Sequence, residues 1–370
     1  MSRTDPNILV IESKIPAPDR DSGSLRMYNL LLVLKNLASN LTFGSHLLFH
    51  PTLDTQSLET EGIHFLKEPV KDHLEHSGSE YDIVILSRAA TASAFIEDVG
   101  RYADRSKIVF DTVDLHHLRF FRQARITGDA QAMKLALLYK EQEIKLTRVA
   151  DCTLVVSSIE QTILMKICPD ADIRIVSNIH NVYPTAATYE DRTDIFFIGS
   201  FYHKPNIDAV LFYANEIHPL LKTMVPGIKC YIIGENPPPG IKSLDSQDLI
   251  ITGYVPDILP YMERCRLSIA PLRYGAGIKG KVLLSMSYGI PVIGTSVAAE
   301  GMPLTKESSL MIADSAEDFC QAIQNVYTNG AVWDELSVKG KRLVQNHFSF
   351  EAARSTLVEL FEDFGYARLQ

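Results

Sequence analysis

Residues 271–295 read PLRYGAGIKGKVLLSMSYGIPVIGT. Gly275, Gly277 and Gly280 make a flexible turn, and the run from Lys281 to Tyr288 reads as the helix after it. Lys279 and Lys281 therefore stand at a helix N-terminus, where the backbone dipole already presents partial positive charge. Cations are disfavoured there unless an anion sits between them. Lys204, ahead of a helix opening near Asn206, is a third cation in an equivalent place. Mutual repulsion costs about 1 kcal/mol at partly exposed sites. An anion of two phosphates converts that cost into binding, so the expected chemistry is the holding of a diphosphate.

A second polar cluster lies in DTVDLHHLRFFR (111–122), at the mouth of the apolar run KIVFDT. Asp111, Asp114, His116, His117, Arg119 and Arg122 crowd within it and could bind a hydroxylated substrate or act as acid and base. His116 and His117 are adjacent on a helix, so the expectation is that one points inward and the other is a bystander. In IPAPDRDSGSLRMYN, Gly23 stands at a helix start, where backbone N–H groups can approach a phosphate as readily as they can form a plain turn capped by Ser22. This loop holds one Gly and no G-x-G-x-x-G, so it carries no nicotinamide dinucleotide fingerprint. Asp19-Arg20-Asp21 and Asp170-Ala171-Asp172 each spell D-x-D, but so short a match arises by chance and no metal is assigned. Ser157-Ser158-Ile159-Glu160 is a capping box. Asn178-Ile179-His180-Asn181 points at a cleft or a hinge.

The elements that must position these groups are short apolar runs alternating with helix-period segments. Strands are expected over 7–13, 45–49, 81–87, 107–112, 152–157 and 173–177, then over 194–200, 229–235, 249–255, 267–272, 291–296 and 310–314. Helices are expected between them, for example over 24–38, 130–149, 206–223 and 316–328. Continuous apolar strands suit parallel sheets covered on both faces, and the alternation predicts a doubly wound α/β unit in each half. NVYPTAATYEDRTD (181–194) is polar and aperiodic and reads as the linker. FSFEAARSTLVELFEDFGYARL (348–369) is helical, with a stripe at Phe350, Leu357, Leu360, Phe361 and Phe364. Two such sheets leave a cleft at the carboxyl ends of their strands, where ligands bind.

Composition sets the outer bounds. With 46% hydrophobic and 22% charged residues the chain is ordinary globular protein, and 370 residues suffice for two cores. A formal charge of −9 argues against a nucleic-acid partner. The five scattered cysteines form no C-x-x-C pair and read as buried thiols of a reducing compartment. The N-terminal apolar run is short for a signal peptide and no stretch is long enough to span a membrane. The expected location is the cytoplasm, with attachment to the inner face of the membrane through LRFFRQAR (118–125) left open.

The second half resembles the donor domain of family 4 (group 1) glycosyltransferases of the GT-B fold. The resemblance lies in FIGSFYHKPNIDAV, CYIIGENPP, ITGYVPDILPYMERCRLSIAPLRYGAGIKGKVLLSMSYGIPVIGTSVAAEGM and the final FSFEAA. In the first half PDRDSGSLRMYNLL, FDTVDLHHLR, ADCTLVVSSIE and IVSNIHN are similar to members of the same group, so the likeness runs nearly the whole chain in order. It implies two Rossmann-like domains facing across a cleft: an acceptor-side domain over 1–185 and a nucleotide-sugar donor domain over 186–347. A helix over 348–370 would cross back to the first domain. It implies a retaining transfer with no required metal and no cofactor beyond the nucleotide diphosphate sugar. By position, Tyr254 and Val255 would lie near the nucleobase, Gly199 and Lys204 near the diphosphate, and Gly275, Gly277, Ile278, Lys279 and Lys281 over the phosphates and sugar. Gly23 would approach donor and acceptor, and His116 or Asp114 would lie beside the transferred sugar.

One departure stands out. Many members carry two glutamates eight positions apart, and Ala276 and Leu284 occupy those places here. Leu284 cannot accept a hydrogen bond from ribose, and Glu300 is the nearest carboxylate that could substitute. The reading is a sugar transferase acting on a glycan, lipid-linked or protein acceptor, with the phosphate leaving oxygen stabilised by Lys204, Lys279 or Lys281. The alternatives are a catalytically degenerate partner subunit and a sugar-nucleotide epimerase, and self-association stays open.

Overall fold

The structure is a computed structural model describing residues 5–19, 21–47, 56–303 and 310–366. The chain divides into two compact units: residues up to 19, 23–179 and 350 onward, and then 20–22 with 180–349.

The first unit is built on a seven-stranded parallel sheet. Its strands are β1 (Asn7–Glu12), β2 (Asn40–Ser45), β3 (His64–Phe65), β4 (Ile83–Ser87), β5 (Lys107–Asp111), β6 (Cys152–Val155) and β7 (Ile173–Ile175), in the order β3-β2-β1-β4-β5-β6-β7. β1 shows why its sequence is unbroken apolar. Ile8 and Val10 enter one core with Leu30, Leu34 and Leu154, while Leu9 and Ile11 enter another with Val84, Phe95 and Val99. A strand covered on both faces has no polar side to alternate with. The first of these cores also takes Ala353, Leu357, Leu360 and Phe361 from the last helix, Phe350–Asp363, so the end of the chain belongs to the first unit.

The second unit carries β8 (Thr193–Ile198), β9 (Cys230–Ile233), β10 (Leu249–Gly253), β11 (Cys265–Ala270), β12 (Val292–Gly294) and β13 (Leu310–Ile312). All pairings are parallel, in the order β10-β9-β8-β11-β12-β13. In both sheets the strand order reverses beside the first strand, at β1/β4 and at β8/β11. Loops leaving these two strands diverge, and the crevice at their carboxyl ends is where doubly wound sheets take ligands.

Two expected elements need correction. The expected strand over 45–49 is instead β2, which ends at Ser45; residues 48 and 49 lie outside the described residues. Asn40 and Gly44 disguise β2, and Gly44 is glycine for a packing reason: a Cβ there would come 2.9 Å from Val70 Cγ2. The single helix expected over 206–223 is Lys204–Phe212, a π turn Tyr213–Ile217 and a short helix His218–Met224. Pro219, near the start of that last helix, has no N–H to continue the ladder.

Candidate active site

In the second unit the residues after β8 and β11 converge at the switch point. Gly199 follows β8, and a Cβ on it would lie 2.6 Å from Lys281 Nζ and 2.7 Å from Asn206 Nδ2. Any larger residue at 199 would displace the ammonium. The Lys281 side chain comes from the first turn of helix Gly280–Ser287. It donates to Asn206 Oδ1 and its ammonium sits 4.1 Å from the Phe197 ring centroid. Asn206 is held in turn by donating to the Ser200 carbonyl at 2.6 Å. No carboxylate pairs with Lys281 among the described residues. Burial, with the nearby Lys279 charge adding to it, pushes the Lys281 ammonium down to about 7.

Lys279 is the N-cap residue of the same helix and is buried. Its ammonium turns back to donate to the carbonyls of Ala276, at 3.3 Å, and Gly277. The loop can do this because Gly275 and Gly277 have φ of 152° and 66°, a region closed to most side chains. Lys204 is the exposed first residue of helix Lys204–Phe212, two positions before the Asn206 that receives Lys281. Lys279, Lys281 and Gly199 are thus brought to one corner, with Lys204 on its solvent side. Tyr254, exposed, and Val255, packed on the apolar cluster of Phe196, Tyr231 and Met262, follow β10. Glu300 caps the short helix Ser296–Ala299 after β12. Leu284 packs on the same apolar cluster as Val255, so its position is committed to the core.

In the first unit Gly23 occupies the first turn of helix Ser22–Lys35. The cluster after β5 splits in two. Asp111 faces inward and receives both Nη1 and Nη2 of Arg26, at 2.9 and 2.8 Å, plus the Ser87 hydroxyl. Val113 then adopts φ of 63°, strained for a β-branched residue, and reverses the chain into helix His116–Thr127. Asp114 accepts from Arg119 at 2.7 Å and lies 3.2 Å from His116 Nδ1. Glu143, 1% exposed on helix Ala130–Val149, accepts the His116 backbone N–H with one oxygen and pairs with His117 Nδ1 through the other. The expectation of one inward histidine fails: both are buried, because Glu143 comes from another helix and ties down the backbone of one and the ring of the other. His116 also packs against Tyr139, ring centroids 5.0 Å apart.

Several polar residues here were not legible as a site. Arg26 sits in the apolar run LRMYNLL yet is fully buried, joining Asp111 to the Val176 carbonyl. Glu12 ends β1, Arg88 follows β4, and the two pair across the switch point at 2.8 Å, with Arg88 at φ of 68°. The available signal was one charged residue interrupting each apolar run. Of the two D-x-D matches, Asp172 is engaged by Arg174, which also reaches Asp363, and Arg20 lies outside the described residues. The serine half of the capping box forms, Ser157 accepting the Glu160 N–H, and the Glu160 carboxylate takes Val156 N–H and Leu115 N–H.

Residues 192–329 match the family model of glycosyl transferases group 1. This stretch is a group 1 glycosyl transferase domain. The domain contains Gly199, Lys204, Lys279, Lys281 and Glu300. A relative from Klebsiella pneumoniae, an uncharacterized 44.6 kDa protein in the cps region, is 25% identical over 174 residues, 44% of this chain and 45% of that protein. The match thus spans about half the length of that relative. Among solved structures, sucrose-phosphate synthase from Thermosynechococcus elongatus aligns with TM-score 0.73 at 15% identity over 97% of this chain and 98% of its own. HepE from Anabaena, in complex with UDP and glucose, aligns with TM-score 0.72 at 13% identity over 96% of this chain and 99% of its own. A glycosyltransferase from Rickettsia africae gives 0.71 at 15% identity over 98% and 99%. At these identities the likeness carries the fold, which is GT-B. No helix among the described residues is long and apolar enough to cross a membrane.

Proposed function

We propose that this chain is a glycosyltransferase that moves a sugar from a nucleotide diphosphate sugar to a glycan, lipid-linked or protein acceptor, with retention of configuration and without a metal ion. The observation that carries this reading is the Lys281 ammonium, half-buried against a neutral amide beside a glycine that leaves it room. A partly desolvated cation without a counter-charge is costly, and a diphosphate at the switch point supplies that charge. Lys281 would bind the phosphate oxygen from which the sugar departs, with Lys279 released from its loop carbonyls and Lys204 closing the solvent side. Positive charge placed where the leaving group becomes negative lowers the barrier more than it favours the ground state. Tyr254 and Val255 would border the base, and Glu300 stands in for the missing ribose carboxylate. On the acceptor side, His116 and Asp114 would contact the transferred sugar, held in place by Glu143 and Arg119. The departing phosphate would take the acceptor proton in a front-face attack.

The relative in a cps region and the UDP-bound neighbour favour a polysaccharide acceptor and a uridine donor. Exposed Phe121, Ile126, Leu137 and Leu138, close in sequence to Arg125 and Lys134, would suit a lipid-linked acceptor presented at an anionic surface. A second reading, a donor-binding partner subunit without turnover, draws on Leu284, which is packed in the core where a ribose-binding glutamate would stand. A thermal-shift screen of nucleotide sugars, followed by donor hydrolysis and transfer assays on the hits, separates the two. Stabilisation with turnover supports the transferase, stabilisation alone supports the partner subunit, and no stabilisation by any donor removes both.

A further inference from the structure

We propose that Glu68, His73 and His76 form a site for one divalent cation of the zinc type, apart from the residues assigned to donor and acceptor. The two histidines lie three positions apart on one face of helix Val70–Ser77, and Glu68 sits just before its start. His73 Nδ1 lies 2.8 Å and His76 Nε2 3.3 Å from the same carboxylate oxygen, Glu68 Oε1. One donor atom from each residue falls within 4.8 Å of the others. Two ligands about 2.0–2.1 Å from a tetrahedral ion stand roughly 3.3 Å apart, so the cluster needs only a small opening at His73.

The far side of His73 is already arranged for this role. Its Nε2 lies 2.7 Å from the Tyr81 hydroxyl, and Thr42 hydrogen-bonds the same phenol. In the tautomer whose Nε2 proton goes to Tyr81, Nδ1 offers its lone pair on the side of the Glu68 carboxylate. Two acceptors so close require a cation between them, either a proton or a metal. A histidine whose second nitrogen is held by an outer partner is the usual state of an imidazole ligand. Glu68 pairs with no lysine or arginine among the described residues, while its neighbour Lys67 turns to Glu59. Two imidazoles and one carboxylate favour zinc, cobalt or nickel over magnesium or calcium. His76 is 56% exposed against 12% for His73, so the fourth position opens to water.

The test is titration of zinc chloride into the full chain with any affinity tag removed, at pH 7.5. The five cysteines are all buried and do not compete. One ion per chain is expected, with binding weakened at least tenfold in His76→Ala and in Glu68→Gln. His76→Ala removes an exposed ring, so its metal-free melting temperature stays at the parent value while the zinc-induced rise is lost. Cobalt should give visible d–d bands in the parent that are lost in both variants, and a large excess of magnesium should not displace zinc. Failure of the parent to bind zinc stoichiometrically, or unchanged binding in both variants, overturns the proposal.

Discussion

Lys281 Nζ donates to Asn206 Oδ1 at 2.5 Å, so a half-buried ammonium is held by a neutral amide at the carboxyl end of a parallel sheet. With burial lowering it to about 7 from an ordinary 10.5, the unfolded chain binds one more proton than the folded chain between those two values. Stability of the ligand-free protein therefore rises with pH across that window. A bound diphosphate restores the charge, so its binding takes up a proton above pH 7 and its affinity falls as pH rises further. Calorimetric titration of a nucleoside diphosphate from pH 6 to 9 should show that decline in the parent. Lys281→Met should bind weakly with a flat profile.

Substituting His116 or Asp114 should act on turnover. A group that meets the sugar chiefly in the transition state changes kcat far more than donor affinity. His116→Ala and Asp114→Ala should each lower kcat by about 10²-fold or more, within the range of acid–base and electrostatic contributions, with donor Kd nearly unchanged. Parent-like turnover in both variants would remove this pair from the mechanism.

The Arg26–Asp111 pair is fully buried and bidentate. Removing one partner strands a charge, at a cost of about 3–5 kcal/mol. Urea unfolding of Arg26→Met should show that loss, and Arg26→Met with Asp111→Asn should recover part of it. Additive losses would mean that the pair is not coupled.

His180 is buried, and desolvation pushes its imidazole down to about 4. Between roughly pH 6.5, the unfolded value, and pH 4 the unfolded chain takes up a proton that the folded chain refuses. Stability should fall by up to about 1.4 kcal/mol per pH unit as pH drops through that window and should show no penalty above it. His180→Gln should flatten this acid limb in melts from pH 4 to 8. An unchanged slope would assign the limb to other groups.

The architecture was legible because parallel strands buried on both faces leave long apolar runs, as in NILVIE and CRLSIA. β2 escaped because its glycine answers to a neighbouring helix, a contact that no local pattern records. The lysines were legible because a cation at a helix start breaks a local rule. Glu143 was not: its meaning lies in two histidines about 26 positions away in the chain, and on its own helix it reads as one more surface charge. Arg26 was hidden for the same reason, since it lies on a helix and its partner Asp111 on a strand distant in the chain. Local rules mark the groups that violate them, and tertiary partners appear only once the chain has folded.

The central claim is that the lysines after β8 and β11 hold the donor diphosphate. Isothermal titration of a nucleoside diphosphate into the parent and into Lys204→Met, Lys279→Met and Lys281→Met, with melting temperatures of each ligand-free protein, tests it most directly. A charge-assisted contact is worth roughly 1.5–3 kcal/mol, so loss of the key lysine should weaken binding about tenfold or more. Lys281→Met should lose the most and should melt at or above the parent temperature, because a partly desolvated charge with no carboxylate partner is gone. If all three variants bind like the parent, the diphosphate site lies elsewhere and the account is contradicted.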